Sequence, residues 1–481
     1  MAMRPAALVW FRHDLRLDDQ PALRRALVDF APIPVFIWAP EEEAPWPPGA
    51  ASRWWLHHSL AALDQSFQER GLGLVLRQGS SLEQLKLLIQ ETGAKAVFWN
   101  RRYEPAVVQR DQQVKSELRR LGLVAESFGG SLLFEPAALR TQQDKPYQVF
   151  TPFHKACLAQ PAPPRPVPLP ASLPKFDSWP ASVPLAALQL LPQIAWDAGM
   201  KATWNPGESG AWTLLRRFET EGLTSYLDQR DRPDLVGTSR LSPHLHFGEI
   251  SPHRLWWTIQ DRLGEMHSVS ARRQAEGWLR QLVWREFAHH LLFQFPHTAT
   301  APLRPEFEAF PWLERPDWLR AWQRGQTGYP LVDAGMRELW TTGWMHNRVR
   351  MNVASLLVKH LRIHWLEGAR WFWDTLVDAD LANNTLGWQW TAGCGADAAP
   401  YFRIFNPMLQ AAKFDPSGAY IARWVPEVAG LPLPERFDPL SAKPGMLATE
   451  GIILGKSYPR PLVEHTEGRA AALAALATLR S

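Results

Sequence analysis

The spacing of apolar residues changes once along this chain, and that change limits the folds open to it. Up to about residue 130, short apolar runs at 6–11, 35–38, 74–76 and 96–99 alternate with stretches at 53–70, 82–92 and 106–121 whose apolar positions recur at helical spacing. Unbroken apolar runs suit strands buried on both faces. Their alternation with helices predicts a Rossmann-like α/β domain, a parallel sheet covered by helices. No G-x-G-x-x-G fingerprint follows the first run, so a nicotinamide-dinucleotide site is not expected there. Residues 161–174 hold seven prolines. Proline fixes φ and removes a donor, which predicts an extended, semi-rigid stretch within a connector over 131–204. From Asn205 onward the patterns are almost all helical. One helix is expected over 270–295, and another over 336–361, capped or interrupted near Gly343. The expected organisation is an α/β domain over 1–130, the connector, and a large all-α domain over 205–481.

The chain has 481 residues, 46% hydrophobic and 21% charged, which is ordinary for a soluble globular protein of two or three domains. Its 25 tryptophans are not ordinary. Most of them can fill a helical core, but that does not explain their concentration between Trp312 and Trp390. A net charge of +4 and a pI near 9.1 permit a polyanionic partner without demanding one. The two cysteines, Cys157 and Cys394, exclude a disulfide framework and a cysteine-rich metal site, and they fit a reducing compartment. The first apolar run is too short for a secretion signal, and no stretch is long enough to span a bilayer. A cytoplasmic location is expected.

Chemistry is densest in segment 378–390, Asp-Ala-Asp-Leu-Ala-Asn-Asn-Thr-Leu-Gly-Trp-Gln-Trp. Asp378 and Asp380 can hold a cationic side chain and ribose hydroxyls. Asn384 can face a ring nitrogen, and Trp388 and Trp390 can stack on bases or pass electrons. This set suits a buried redox-active ring better than a hydrolytic site. In Gly343-Trp-Met-His-Asn-Arg-Val-Arg-Met351, Asn347, Arg350 and Met351 share a helix face. Arg350 is the natural partner for one of the two aspartates, because an unpaired buried charge is costly. His346 reads as a core histidine. Gln281, Trp284 and Arg285 also share a face, which suits a base held by stacking and edge hydrogen bonds; alone, they read as an amphipathic helix with Trp284 in the core. Gly237-Thr-Ser-Arg-Leu-Ser-Pro sets the hydroxyls of Thr238, Ser239 and Ser242, with the charge of Arg240, beside a helix start. That is anion-binding chemistry, although alone it reads as an ordinary capped helix.

In order and spacing these motifs, with the opening Trp10-Phe-Arg-His-Asp-Leu-Arg-Leu-Asp-Asp19, resemble the photolyase/cryptochrome family over essentially the whole chain. They look most like its class I cyclobutane pyrimidine dimer photolyases. The resemblance implies a U-shaped FAD buried in the helical domain. Tyr226, Thr238, Ser239, Arg240, Leu241 and Ser242 would bind its diphosphate region. Trp278, Gln281, Arg285, Asn347, Arg350, Asp378 and Asp380 would line flavin and adenine, and Asn384 would face flavin N5. Electrons would travel along Trp388, Trp365 and Trp312 between flavin and surface. The implied activity is light-driven repair of cyclobutane pyrimidine dimers in DNA, by electron transfer from photoexcited reduced FAD. A flipped-out lesion would pack against Trp284 and Trp390, in a pocket lined by Gln281, Asn347 and Met351. Arg230, Arg348, Arg403 and Gln410 would contact lesion and backbone. A monomer is expected. A methenyltetrahydrofolate or deazaflavin antenna is a further expectation near Asn100-Arg-Arg-Tyr-Glu-Pro105. Ala106 and Val107 lack the polar pair of folate-binding relatives, so an empty antenna site stays open.

Gln281 departs from the pattern, since dimer photolyases usually carry Glu there. Gln occurs in (6-4) relatives and animal-type cryptochromes, yet those (6-4) enzymes use histidines where this chain has Asn347 and Met351. Dimer repair is therefore the expectation, with (6-4) repair or a cryptochrome-type blue-light photoreceptor as alternatives. The chain stops soon after an Ala/Leu-rich helix near Arg480 instead of continuing into a long polar extension, which argues for repair.

Overall fold

The computed structural model describes residues 4–176, 178–398 and 402–479, so Arg480 lies outside the described residues. Strands β1 Ala6–Phe11, β2 Ala31–Trp38, β3 Val75–Gln78, β4 Ala96–Asn100 and β5 Val124–Phe128 form one parallel sheet in the order β3-β2-β1-β4-β5. Helices α1 Pro21–Asp29, α2 Ala50–Gln68, α3 Ser81–Thr92 and α4 Pro105–Arg120 make the connections. Every residue of β1 and β2 is buried, as strands covered on both faces require. β2 starts at Ala31, through Pro32 and Pro34, and not at residue 35 as expected. β3 pairs with it only over Val35–Trp38, so the absent proline N–H groups interrupt no bond to β3. β5 was not foreseen. It is an edge strand that fully buries only Ala125, so its apolar signal is weak.

The connector is structured. Helix α5 Phe150–Leu158 packs against the long helix α11 described below. The proline-rich stretch is strapped to α10 Pro252–Glu265. Trp257 Nε1 donates to Pro163 O at 2.9 Å, and the Arg165 guanidinium lies 3.9 Å over that indole while pairing with Asp261 at 2.9 Å.

The rest is helical. Before α10 come α6 Ala198–Thr203, α7 Glu208–Arg217, α8 Tyr226–Gln229 and α9 Ser242–His246. After it come α11 Val269–Gln294, α12 Pro316–Gln323, α13 Pro330–Thr342, α14 Asn347–Ser355, α15 Trp365–Thr375, α16 Leu381–Ala392 and α17 Pro407–Phe414. α18 Ala419–Trp424, α19 Pro444–Thr449 and α20 His465–Ala477 follow. α11 matches the helix expected over 270–295. The second expected helix is two helices. Gly343, at φ +68°, ends α13 in the left-handed region, and the His346 side chain starts α14 by accepting from Arg348 N at 3.2 Å. No helix of the described residues is long and apolar enough to cross a membrane.

The charged loop after β1 joins sheet to helices. Arg16, 1% exposed, donates to the carbonyls of Asp19, Gly130 and Gly248. Leu15 N donates to Phe247 O at 3.0 Å, and Glu208 accepts from Leu17 N and Asp18 N. Asp18 pairs with Arg254 at 2.8 Å, and Ser251 Oγ donates to Asp19 at 2.6 Å. From α2, Trp54 Nε1 donates to Asp197 and Trp55 Nε1 to Glu249, each at 2.9 Å. Arg16→Met strands several of these carbonyls without a donor. It should cost about 3 kcal/mol of stability. A lower urea midpoint and faster amide exchange in loop 12–20 are the expected readings.

Candidate functional site: a cavity among the C-terminal helices

Side chains from α8, α9, α11, α14, α15 and α16 surround one cavity of about 650 Å³. The helical repeat brings Trp278, Gln281, Leu282 and Arg285 of α11 to it. Asn347, Arg348, Arg350 and Met351 come from α14, and Asn384 and Trp388 from α16. Tyr226, Arg230, Thr238, Ser239, Leu241, Ser242, Trp284, Asp378, Asp380 and Trp390 complete the expected set on its wall. Five expected residues are not on it. The Arg240 guanidinium lies 4.7 Å over the Trp344 ring, and that of Arg403 lies 5.4 Å from the Trp390 centroid. Gln410 has its Oε1 buried without a hydrogen-bond partner among the described residues. Trp365 is buried in the core cluster that holds Trp388, and Trp312 packs partly buried against it.

The two aspartates are paired differently. Arg350 Nη2 reaches both oxygens of Asp378, at 2.9 and 3.0 Å, while its Nε donates to Met345 O. This is the partnership the sequence anticipated. Asp380 Oδ1 caps α16 by accepting from Asn383 N at 2.8 Å. Its Oδ2 faces His289 Nε2 at 3.3 Å and His246 Nδ1 at 3.8 Å. Burial opposes the charge of Asp380, but the positive charge of His289 and the closeness of both imidazole rings outweigh it, leaving the carboxyl well below its usual range. Neither histidine was singled out from sequence. His246 lies three residues beyond the quoted motif that ends at Pro243, and His289 follows Arg285 by one helical turn. His346 is the core histidine expected; burial pushes it down to about 4. The wall also holds Trp344, Met345, Asn383 and Asp397, which the sequence reading missed although the first three lie inside quoted motifs.

Lesion-side expectations meet specific surroundings. Trp284 stacks on Phe150 of the connector, with centroids 3.5 Å apart and planes at 5°. Trp390 Nε1 donates to Asp397 O at 3.1 Å. Arg348 pairs with Asp231 at 2.8 Å, and Arg285 donates to Ser131 O at 2.6 Å. Gln281 Nε2 donates to Gly277 O within its own helix.

Trp388 is buried at the cavity edge against Phe372 and Trp322, with centroids at 5.0 and 6.1 Å. Its six-membered ring rests on Gly368, where any methyl would collide with it. Gly368 lies one turn beyond Trp365 on α15, which brings the two indoles into one packed core. The His364 ring sits 5.8 Å from Trp365 and 5.1 Å from Trp312, between them.

Hydroxyls and cations at one part of the wall, carboxylates and an amide at another, and indoles beside apolar Leu282 and Leu386 fit an elongated cofactor with a flat ring and phosphates. The buried Trp388 Nε1 finds no hydrogen-bond partner among the described residues, which is consistent with a wall built for a further group.

Arg350→Met leaves Asp378 buried without its cation and should cost about 3–5 kcal/mol. The double variant Arg350→Met/Asp378→Leu should lose less than the single one. Urea denaturation of both checks the sign.

Two family models match the chain: "DNA photolyase" over residues 7–172 and "FAD binding domain of DNA photolyase" over 278–478. The deoxyribodipyrimidine photo-lyase of Agrobacterium fabrum is 46% identical, covering 100% of this chain and 99% of that protein. Cryptochrome-1 of Arabidopsis thaliana is 38% identical, over 96% of this chain and 69% of its own length. A crystal structure of a bacterial class III photolyase from Agrobacterium tumefaciens superposes with a TM-score of 0.95 at 45% identity, covering 100% of this chain and 98% of that one. That class III match leaves the expected likeness to class I unsupported. With both halves matched and the Agrobacterium fabrum relative covered over 99% of its length, the chain belongs to the photolyase/cryptochrome family.

Proposed function

We propose that this chain repairs cyclobutane pyrimidine dimers in DNA, using light and reduced FAD. The observation that carries this reading is that residues expected on the lesion side (Gln281, Trp284, Asn347, Met351, Trp390) and on the flavin side (Asp378, Asp380, Asn384) share one cavity. A photolyase of nearly full-length similarity supports it.

Bound FAD supplies light-driven one-electron chemistry. Tyr226, Leu241 and the hydroxyls of Thr238, Ser239 and Ser242 would hold its diphosphate region, with Arg240 adding charge from behind Trp344. Trp278, Arg285 and Arg350 would flank its rings, and Asn384 would stand against N5. Asp378 and Asp380 offer acceptors. Trp388, Trp365 and Trp312 form the proposed route for electrons to the surface, each indole able to carry a one-electron hole.

The lesion would leave the base stack to reach the cavity. Trp284, held flat by Phe150, and Trp390, fixed through Asp397, would offer it stacking surfaces. Arg230, Arg348, Arg403 and Gln410 would meet lesion and backbone, where phosphate charge favours guanidinium. We infer a monomer working in the cytoplasm, which two buried free cysteines support.

The stretch proposed for an antenna pigment is already engaged. Arg102 pairs with Glu43 and Glu104, and Arg101 with Glu135. A groove of about 670 Å³ beside α2, lined by Arg53, His57, Gln189, Trp196 and several apolar residues, would offer a folate or deazaflavin an apolar seat with the Arg53 cation for its acidic tail.

With flavin reduced, blue light should restore thymine absorbance in oligonucleotides bearing cyclobutane dimers and leave (6-4) lesions unchanged. Turnover of (6-4) lesions alone would shift the assignment to that chemistry, and no turnover on either would favour the photoreceptor. Trp388→Phe should block photoreduction of oxidised FAD and spare repair by pre-reduced protein. Equal loss of both would refute the proposed electron route.

A further inference from the structure

The cavity aspartates have counter-ions of different kinds. Arg350, opposite Asp378, is a guanidinium. The partner of Asp380 can titrate. His289 Nδ1 lies 3.0 Å from the carbonyl oxygen of Arg285, and its Nε2 lies 3.3 Å from Asp380 Oδ2. A carbonyl only accepts, and a carboxylate at ion-pair distance favours a proton on the nitrogen that faces it, so both ring nitrogens are placed to carry one. We propose that His289 is a positioning residue that stands as an imidazolium against Asp380, keeping that carboxylate ionised on the cavity wall so that it selects ligand N–H or O–H donors. The identity of the ligand rests on the flavin reading above; the charge of His289 does not.

Arg285 also favours the Asp380 charge from the same helix, and His289 is the imidazole nearest its Oδ2. From α9, His246 Nδ1 is 3.8 Å from the same oxygen, and its ring meets that of His13 at 4.7 Å. Burial, reinforced by Arg102, holds His13 well below the usual imidazole range, so it is neutral. Glu104, from the sheet domain, opposes the Asp380 charge. On α11 itself, Arg285 disfavours a second cation while the buried Glu286 couples to the imidazole. Burial alone would strip the proton from His289, but the charge of Asp380 outweighs it and the group titrates above its ordinary range.

The signs follow. For His289 the stabilisation is complete below about pH 6.5, the unfolded imidazole value, and disappears as pH rises through the elevated folded value. For Asp380 it is complete above about pH 3.9 and disappears as pH falls through the depressed value. The pair is therefore lost on the alkaline side as His289 gives up its proton, and on the acid side as Asp380 gains one.

The test uses flavin-loaded protein with 15N-labelled histidine, the His289 signals being assigned by their loss in His289→Gln. Both ring nitrogens should show imidazolium shifts near neutral pH, with a midpoint above the ordinary histidine value, and Asp380→Asn should move that midpoint down. His289→Gln should bind flavin roughly tenfold more weakly than the parent while the parent imidazole is protonated, and the difference should close as the parent loses that proton at alkaline pH. His289→Arg should hold flavin without the alkaline loss that the parent protein shows. A neutral His289 near pH 7, or one flavin-binding pH profile shared by parent, Gln and Arg proteins, overturns the proposal. An imidazolium in protein that takes up no flavin leaves the charge assignment standing and refutes the cofactor reading instead.

Discussion

The architecture turns on a guanidinium with no access to water. Arg16 is enclosed where sheet and helices meet, and a charge removed from solvent must be surrounded by acceptors or the fold fails. Here the acceptors are main-chain carbonyls from its own loop, from the end of the sheet domain and from the turn after α9. Satisfying one side chain thereby fixes the relative placement of three distant pieces of backbone. Gly248 allows the approach: at φ +65° it sits so close to His13 and Asp14 that a side chain would strike their backbone. The same clamp brings His13 against His246, so the sheet domain contributes to the electrostatic lining behind the cavity.

The cavity repeats this logic at shorter range. Buried carboxylates at 378 and 380 each require a cation, and the two solutions differ in kind. A guanidinium gives a fixed charge with two-oxygen geometry, whereas an imidazole gives a charge that depends on its neighbours. α16 ties these choices to the indoles. Asp380 caps its first turn, Asn384 follows one turn later, and Trp388 one turn after that, so the anchoring of a single carboxylate orients groups assigned to three separate tasks.

Much of this was legible in the chain. The apolar runs of β1, β2 and β4 announced a doubly covered sheet, and Gly343 announced a helix break. The Arg350–Asp378 pair followed from the cost of an unpartnered charge. The i, i+3, i+4 grouping of Gln281, Trp284 and Arg285 put all three on the wall. What escaped reading depends on meetings between distant segments. β5 carries little apolar signal because it is an edge. Nothing local to His289 reveals that Asp380 arrives opposite it, and no pattern in loop 12–20 shows that its charges face helices far downstream. Phe150, in a segment read only as connector, proved to be the platform under Trp284.

The order of synthesis gives the Arg16 clamp a further meaning. Its loop leaves the ribosome long before Gly248, Ser251 and Arg254 exist, and those partners lie more than two hundred residues later. The sheet can form early from its own strands, but its charged turn must remain hydrated until the helices arrive. The nascent chain thus spends part of its life as a finished sheet with an unmade binding chamber. Pigment capture belongs to the closing stage of maturation, and a translation pause before residue 250 would prolong exactly the interval in which that exposed turn is open to proteases.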